Sequence, residues 1–194
     1  FYNSGSKDSF KKLLVLLEKD FWISKKVNKN KMKKICKTFY HDKTIDRINL
    51  FLDLNPHYLL PKIVNKQKIF SLKYILKKIP WNHINDGNAC FIHGDLNFSN
   101  ILYDKKINKF MLIDWRQDFA GEVDFGDIYY DLAKLYAGIT MNFNHIIKGQ
   151  YKYIEKNREL EISFKTWNES NEYKKILEHF IVERGFDLKK VKFL

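Results

Sequence analysis

The 194 residues predict an α+β chain, mostly helical, with a small strand-rich block near its middle. Three observations carry this. Apolar residues recur at helical spacing through the first 80 residues and again beyond residue 170. Three short apolar runs between residues 91 and 113 are separated by polar loops, and residues 151–164 alternate as a hairpin does.

The elements follow in order. Phe10, Leu13, Leu14, Leu17 and Phe21 fall on one face of a helix over 7–22. A lysine-rich helix over about 28–40 comes next, then one over about 43–53 with Ile45, Ile48 and Leu52 inward. Asn55-Pro56 and Leu60-Pro61 punctuate the chain, and Ile69, Leu72, Ile75, Leu76 and Ile79 mark a helix stopped before Pro80. Phe91-Ile92, Ile101-Leu102-Tyr103 and Phe110-Met111-Leu112-Ile113 read as strands, with a loop at 93–100 and a tight turn at 105–108. Asp127 caps a helix to about 147 on which Ile128, Leu132, Leu135 and Tyr136 recur. Tyr151 and Tyr153 pair with Leu160, Ile162 and Phe164 across a turn at 156–159. Tyr173, Ile176, Leu177, Phe180 and Ile181 form a helix capped by Ser170 and ended by Gly185, and Asp187 opens a last one. The whole reads as one domain over 1–194: helical over 1–90, motif-bearing over 91–137, and helix, hairpin and helix over 138–194.

The polar residues carry the chemistry. His93, Asp95 and Asn100 lie in one inter-strand loop, and Asp114 ends the last strand of the block. A carboxylate buried without a partner is expensive, so both places suit the mouth of a site. One carboxylate able to accept a hydroxyl proton, a carboxamide oxygen and a second carboxylate are the parts that hold Mg²⁺ and phosphates for in-line transfer. Asp95 and Asn100 could instead form a self-bonded Asx turn; the accompanying Asp114 and Asp131 weigh against it.

His93-x-Asp95-x-x-x-x-Asn100 resembles the kinase catalytic loop. His93-Gly94-Asp95, then Ile113-Asp114-Trp115, then Gly126-Asp127-Ile128-Tyr129-Tyr130-Asp131-Leu132-Ala133-Lys134 resemble the aminoglycoside phosphotransferase and choline kinase families. Those families carry Gly where protein kinases carry Arg, and lack Phe-Gly after the metal Asp. Ile128 departs from the family's Pro. The resemblance implies the C-terminal lobe of a protein-kinase-like phosphotransferase, with a small sheet carrying the catalytic loop. It implies ATP and Mg²⁺ as cofactors, Asp95 as base, and Asn100 and Asp114 as metal ligands. His93 and Asp131 would support the loop, and Trp115 and Arg116 would be placed to contact substrate. The acceptor would be a small molecule: a sugar, choline or ethanolamine, or an aminoglycoside. Trp115, Tyr129 and Tyr130 are available for the aromatic cage that choline needs; Arg116 favours an acidic or phosphorylated acceptor.

Such enzymes grip ATP with an N-lobe sheet and a phosphate loop. Gly5 is the only glycine before Gly87, so no Gly-rich loop precedes the motifs. The N-lobe is therefore expected from elsewhere in the same longer protein, with this chain starting near the interlobe linker and ending within an element. Alone, it would bind ATP weakly and expose an apolar patch.

The net charge of +12 raises nucleic-acid binding as a rival reading. However, Arg47, Arg116, Arg158 and Arg184 are the only arginines, and the lysines are scattered without a nucleic-acid motif. The densest run, over 25–37, reads as a solvated helix face. A non-catalytic kinase-like binding lobe is the other rival, disfavoured by keeping Asp95, Asn100 and Asp114 together. Cys36 and Cys90 have no metal spacing and fit a reduced, cytoplasmic setting. No apolar run reaches the roughly 18 residues of a membrane span, and the start is no signal peptide.

Overall fold

A computed structural model describes residues 1, 5–58, 60–166 and 169–194. Helix α1 (Lys7–Leu16) opens on a capping box between Ser6 and Ser9 and runs on as a π-helical turn, Leu17–Phe21. Helix α2 (Lys29–Cys36) starts on Asn28, whose side chain accepts from two backbone N–H groups. The break expected before residue 43 is absent. A π-helical stretch, Lys37–Asp42, joins α2 to α3 (Lys43–Leu54), and Asp42 stays helical without capping anything. The wider turn brings the adjacent rings of Phe39 and Tyr40 inward together. Burial stops there: α3 has no buried residue, and Leu52, expected inward, is 40% exposed.

Strands β1 (Ile63–Val64) and β2 (Gln67–Lys68) have no counterpart in the sequence reading. Asn65 and Lys66 between them both take left-handed φ, the backbone of a two-residue hairpin turn. Helix α4 (Leu72–Lys78) is shorter than the apolar spacing suggests and is capped by Ser71; α5 (Trp81–Ile84) is a single turn.

In the motif block the first strand, β3 (Ala89–Cys90), lies just ahead of Phe91-Ile92, which are not strand. It pairs with β6 (Gly126–Asp127), where a Cβ on Gly126 would run into the Ile92 side chain. A 3₁₀ turn at Phe98–Asn100 leads into β4 (Ile101–Asp104), which pairs antiparallel with β5 (Lys109–Leu112) as a separate sheet. The strands of the block therefore form two small sheets instead of one.

Asp127 caps α6 (Ile128–Thr140) by accepting from the Tyr129 N–H. The single helix expected to reach 147 is interrupted: Met141 is extended, and Asn142 caps a short α7 (Phe143–Ile147). Strands β7 (Tyr151–Lys156) and β8 (Glu159–Phe164) form the hairpin, and β8 also takes β1 in parallel, giving the order β2-β1-β8-β7. Ser170 is the first residue of α8 (Ser170–Glu183), not its cap; Glu169 precedes it and makes no side-chain cap. Asp187 caps α9 (Leu188–Phe193).

The main core packs α1 against the 96–101 segment, α6 and α8, with Phe10, Leu13, Leu17, Leu96, Phe98 and Leu132 fully buried. A second cluster joins α2 and its π-helical extension to Ile84 and Phe119. Beside it the buried Lys190 donates to the Asp86 carbonyl at 2.8 Å and lies 3.4 Å from the buried Asp127 carboxylate, to which Tyr40 also donates. Among the described residues no helix is long and apolar enough to cross a membrane.

Candidate functional site

The loop at 93–100 is fixed from below. Asp131, three residues into α6 and fully buried, accepts from the backbone N–H groups of His93 and Gly94, each at 2.8 Å. Trp22, at the end of the first helical run, donates its indole N–H to the same carboxylate at 3.1 Å. Desolvation pushes the Asp131 carboxyl up to about 6, against the pull of these three donors. At neutral pH it is therefore ionised and can accept all three.

His93 extends the brace. Its Nε2 lies 2.9 Å from the Ile113 carbonyl, and its Nδ1 accepts from the Asp95 N–H at 3.2 Å. These contacts assign the tautomer: Nε2 carries the proton. Burial pushes the imidazole pKa down, which keeps the ring neutral. Trp115 stacks on this ring at 4.9 Å, leans on Phe21, and donates to the Leu112 carbonyl. Gly94 sits at φ +75°, and an added Cβ would stand 2.6 Å from Arg116 Cβ, so both backbone and space call for glycine. Arg116 closes the loop by donating Nε–H to the Gly94 carbonyl at 3.0 Å.

Asp95 itself is partly exposed at the loop's rim. Asn100 turns its amide nitrogen back onto the Asp95 carbonyl at 2.9 Å and carboxylate at 3.2 Å. The other carboxylate oxygen is 2.8 Å from Lys134 Nζ, one turn beyond Asp131 on α6. Burial raises the Asp95 carboxyl, but Lys134, Asn97 and Asn100 outweigh it and hold the group below its ordinary value. Lys134 is the contact that sequence reasoning missed. The signal was present, since a residue three after Asp131 on the same helix faces the same loop. Trp22 gave no signal at all, being over a hundred residues from its partner.

Asp114 lies two residues past the end of β5, instead of ending the strand as the sequence suggests, with a left-handed backbone, φ +57°, and an exposed side chain. The Ile113 N–H donates to the Asn100 carbonyl at 3.0 Å, which ties Asn100 to the residue just before Asp114. Among the described residues no three His, Cys, Asp or Glu side chains gather as a metal site. Two hard oxygens, from the Asn100 amide and the Asp114 carboxylate, fit Mg²⁺, which keeps several waters and takes phosphate oxygens besides one or two protein ligands. The amide nitrogen of Asn100 is already committed to Asp95, while its oxygen accepts a long contact from the Ser99 hydroxyl at 3.4 Å and keeps a lone pair for a cation.

No curated protein and no solved structure matches the chain. The family model described as the phosphotransferase enzyme family matches residues 53–158, more than half of the chain and all three motifs. The chain belongs to that phosphotransferase enzyme family.

Proposed function

We propose that the protein transfers the γ-phosphoryl group of ATP to a hydroxyl of a small molecule, with Asp95 as base and Asn100 and Asp114 as Mg²⁺ ligands. The observation that carries this reading is the Asn100 clamp on Asp95, within a loop pinned by Asp131 and joined by one backbone bond to Ile113, the residue before Asp114. Bound Mg-ATP supplies the phosphoryl group and the charge that offsets the negative oxygens. The protein positions the partners, which is where most of the rate enhancement arises when little covalent chemistry falls to it. Asp95 takes the acceptor's hydroxyl proton as that oxygen bonds to phosphorus and the bond to the ADP oxygen breaks. Its depressed pKa keeps it ionised and ready for this, and Asn100 fixes which way the carboxylate faces. His93 and Asp131 hold the loop without touching reactants.

Asp95→Asn in the complete protein tests the reading, scored by ATP consumption with a panel of sugars, amino alcohols and aminoglycosides. Turnover should fall by roughly 10²–10⁴-fold, the range for losing a general base, with nucleotide affinity little changed. Unchanged turnover would remove Asp95 from the mechanism. Asp114→Ala should raise the Mg²⁺ requirement more than Asn100→Ala, because a full charge holds the cation more strongly than an amide dipole.

A further inference from the structure

Beside the loop, an open cleft of roughly 370 Å³ runs between the π-helical extension of α2, α3, α5 and α6. Lys134 belongs to both places: it lines this cleft and pairs with Asp95 at 2.8 Å. Lys43, Thr44 and Arg47 on α3 line the cleft, Phe39 and Tyr130 form one aromatic wall, and Tyr40, Trp81, Phe193 and Leu194 line it elsewhere. No Asp or Glu side chain among the described residues lines it. Lys43, Arg47 and Arg116 have no carboxylate within 4 Å among those residues, so Asp95 is the only acid that any of the four cations holds.

The aromatic wall by itself would suit a quaternary ammonium group. Its faces are taken, however. Lys43 Nζ lies 4.6 Å from the Phe39 ring centre, Lys134 Nζ 5.6 Å from that of Tyr130, and the Arg116 guanidinium 5.2 and 5.7 Å from the two rings. Outside the cleft, Trp115 is stacked on by His93 and Tyr129 faces Lys190 at 4.1 Å. A second cation in this cleft would meet the like charges of Lys43, Arg47 and Lys134, and the lining rings that carry no cation, Tyr40, Trp81 and Phe193, would have to outweigh all three.

We propose that the cleft is the acceptor site and that it takes an anionic hydroxyl compound, one bearing a phosphate or carboxylate group. This deepens the reading above and rests on Asp95 as base. Lys43 and Arg47 bind the anion, and the arginine fork suits either oxyanion geometry. Lys134 spans from the anion to Asp95, which sets the acceptor's hydroxyl against the base. The ammonium of Lys43 is already pushed below its ordinary value, by burial first and then by Arg116, Arg47 and Lys134, with Asp118 acting the other way. An arriving anion relieves that crowding.

Binding to the complete protein is measured by calorimetry at low salt without nucleotide, using inorganic pyrophosphate, ribose 5-phosphate, gluconate, ribose and choline. The anions should bind at least about tenfold tighter than ribose, and choline should not bind. Arg47→Glu and Lys43→Glu should each weaken the anions by about tenfold or more, and Lys43→Arg should retain them. Both positions lie at the rim of an exposed helix, and an unchanged melting temperature shows that the fold is kept. Comparing ribose 5-phosphate with gluconate separates phosphate from carboxylate preference. No saturable anion binding, binding indifferent to both charge reversals, or tighter binding of choline would overturn the proposal. Anion binding with no ATP consumption on any acceptor would count against Asp95 as base and leave the cleft's preference standing.

Discussion

Around residues 93–95 each backbone N–H has an acceptor inside the protein: Asp131 for His93 and Gly94, and the His93 ring for Asp95. Along α3, α4 and the β7–β8 hairpin no residue is buried, and Leu54 and Ile147, at 71% and 81% exposed, lie in or beside that layer. The first region is specified by long-range polar contacts to a fully desolvated carboxylate. The second is held by its own backbone ladder and a few side-chain bonds at the edges. Substitutions in the frame should therefore be expensive for both fold and chemistry, and those in the outer layer nearly silent for the fold.

Asp131→Ala should show the largest effect. It strands three N–H donors, from His93, Gly94 and Trp22, in a dry interior, and destabilisation of about 3–5 kcal/mol is expected for breaking such a buried charged network. Thermal or denaturant unfolding measures it, and a change under about 1 kcal/mol would show that the frame does not depend on Asp131. Gly94→Ala comes next, at about 1–3 kcal/mol for forcing a side chain into a positive-φ position against Arg116. Arg116→Ala should not relieve the strain, because the nearest contact is Arg116 Cβ, which alanine keeps.

A subtler probe is Trp22→Phe, which removes one donor from the ionised Asp131 and so should raise its pKa further. Asp131 has a folded pKa of about 6, above its ordinary 3.8. Its contribution to stability is therefore greatest below pH 4 and falls away as pH rises towards 6. Loop geometry runs the other way, since only the ionised form accepts three N–H bonds. Turnover should drop on acidification through pH 6, and Trp22→Phe should shift that limb upward by about half to one pH unit. A limb that stays put would place the controlling ionisation elsewhere, with His93 the next candidate. Smallest of all, Leu54→Ser should change stability by no more than about 0.5 kcal/mol, as exposed substitutions usually do. A larger loss would mean that α3 packs on something.

This contrast also explains what could be read from the sequence. Asp95, Asn100, Asp114 and Asp131 announce themselves by spacing, because the chemistry expected of them fixes residue type and separation within a short stretch of chain. The caps at Asp127 and Asp187 were legible for the same local reason. What escaped depends on partners far away. Trp22 meets Asp131 across 109 positions. The junction of α2 and α3 looked like a break because the apolar pattern slips there, yet the chain absorbs the slip in a π-helical stretch so that Phe39 and Tyr40 are both buried. Strands β1 and β2 are two residues each and turn on Asn65-Lys66 instead of the stronger Asn-Gly signal.

Asn65 also has a kinetic consequence. Its side chain donates to the Ile162 carbonyl at 3.0 Å and accepts from the Ile162 N–H at 2.9 Å, lengthening the parallel pairing of β1 with β8 across 97 positions. Closing so long a loop spends chain entropy before any contact rewards it, so this sheet should be the last part of the molecule to form. Because none of its strand residues is buried, it should also be the first to open. The amides of residues 63–68 should exchange with solvent deuterium through local fraying, while those of His93 and Gly94 wait for global unfolding.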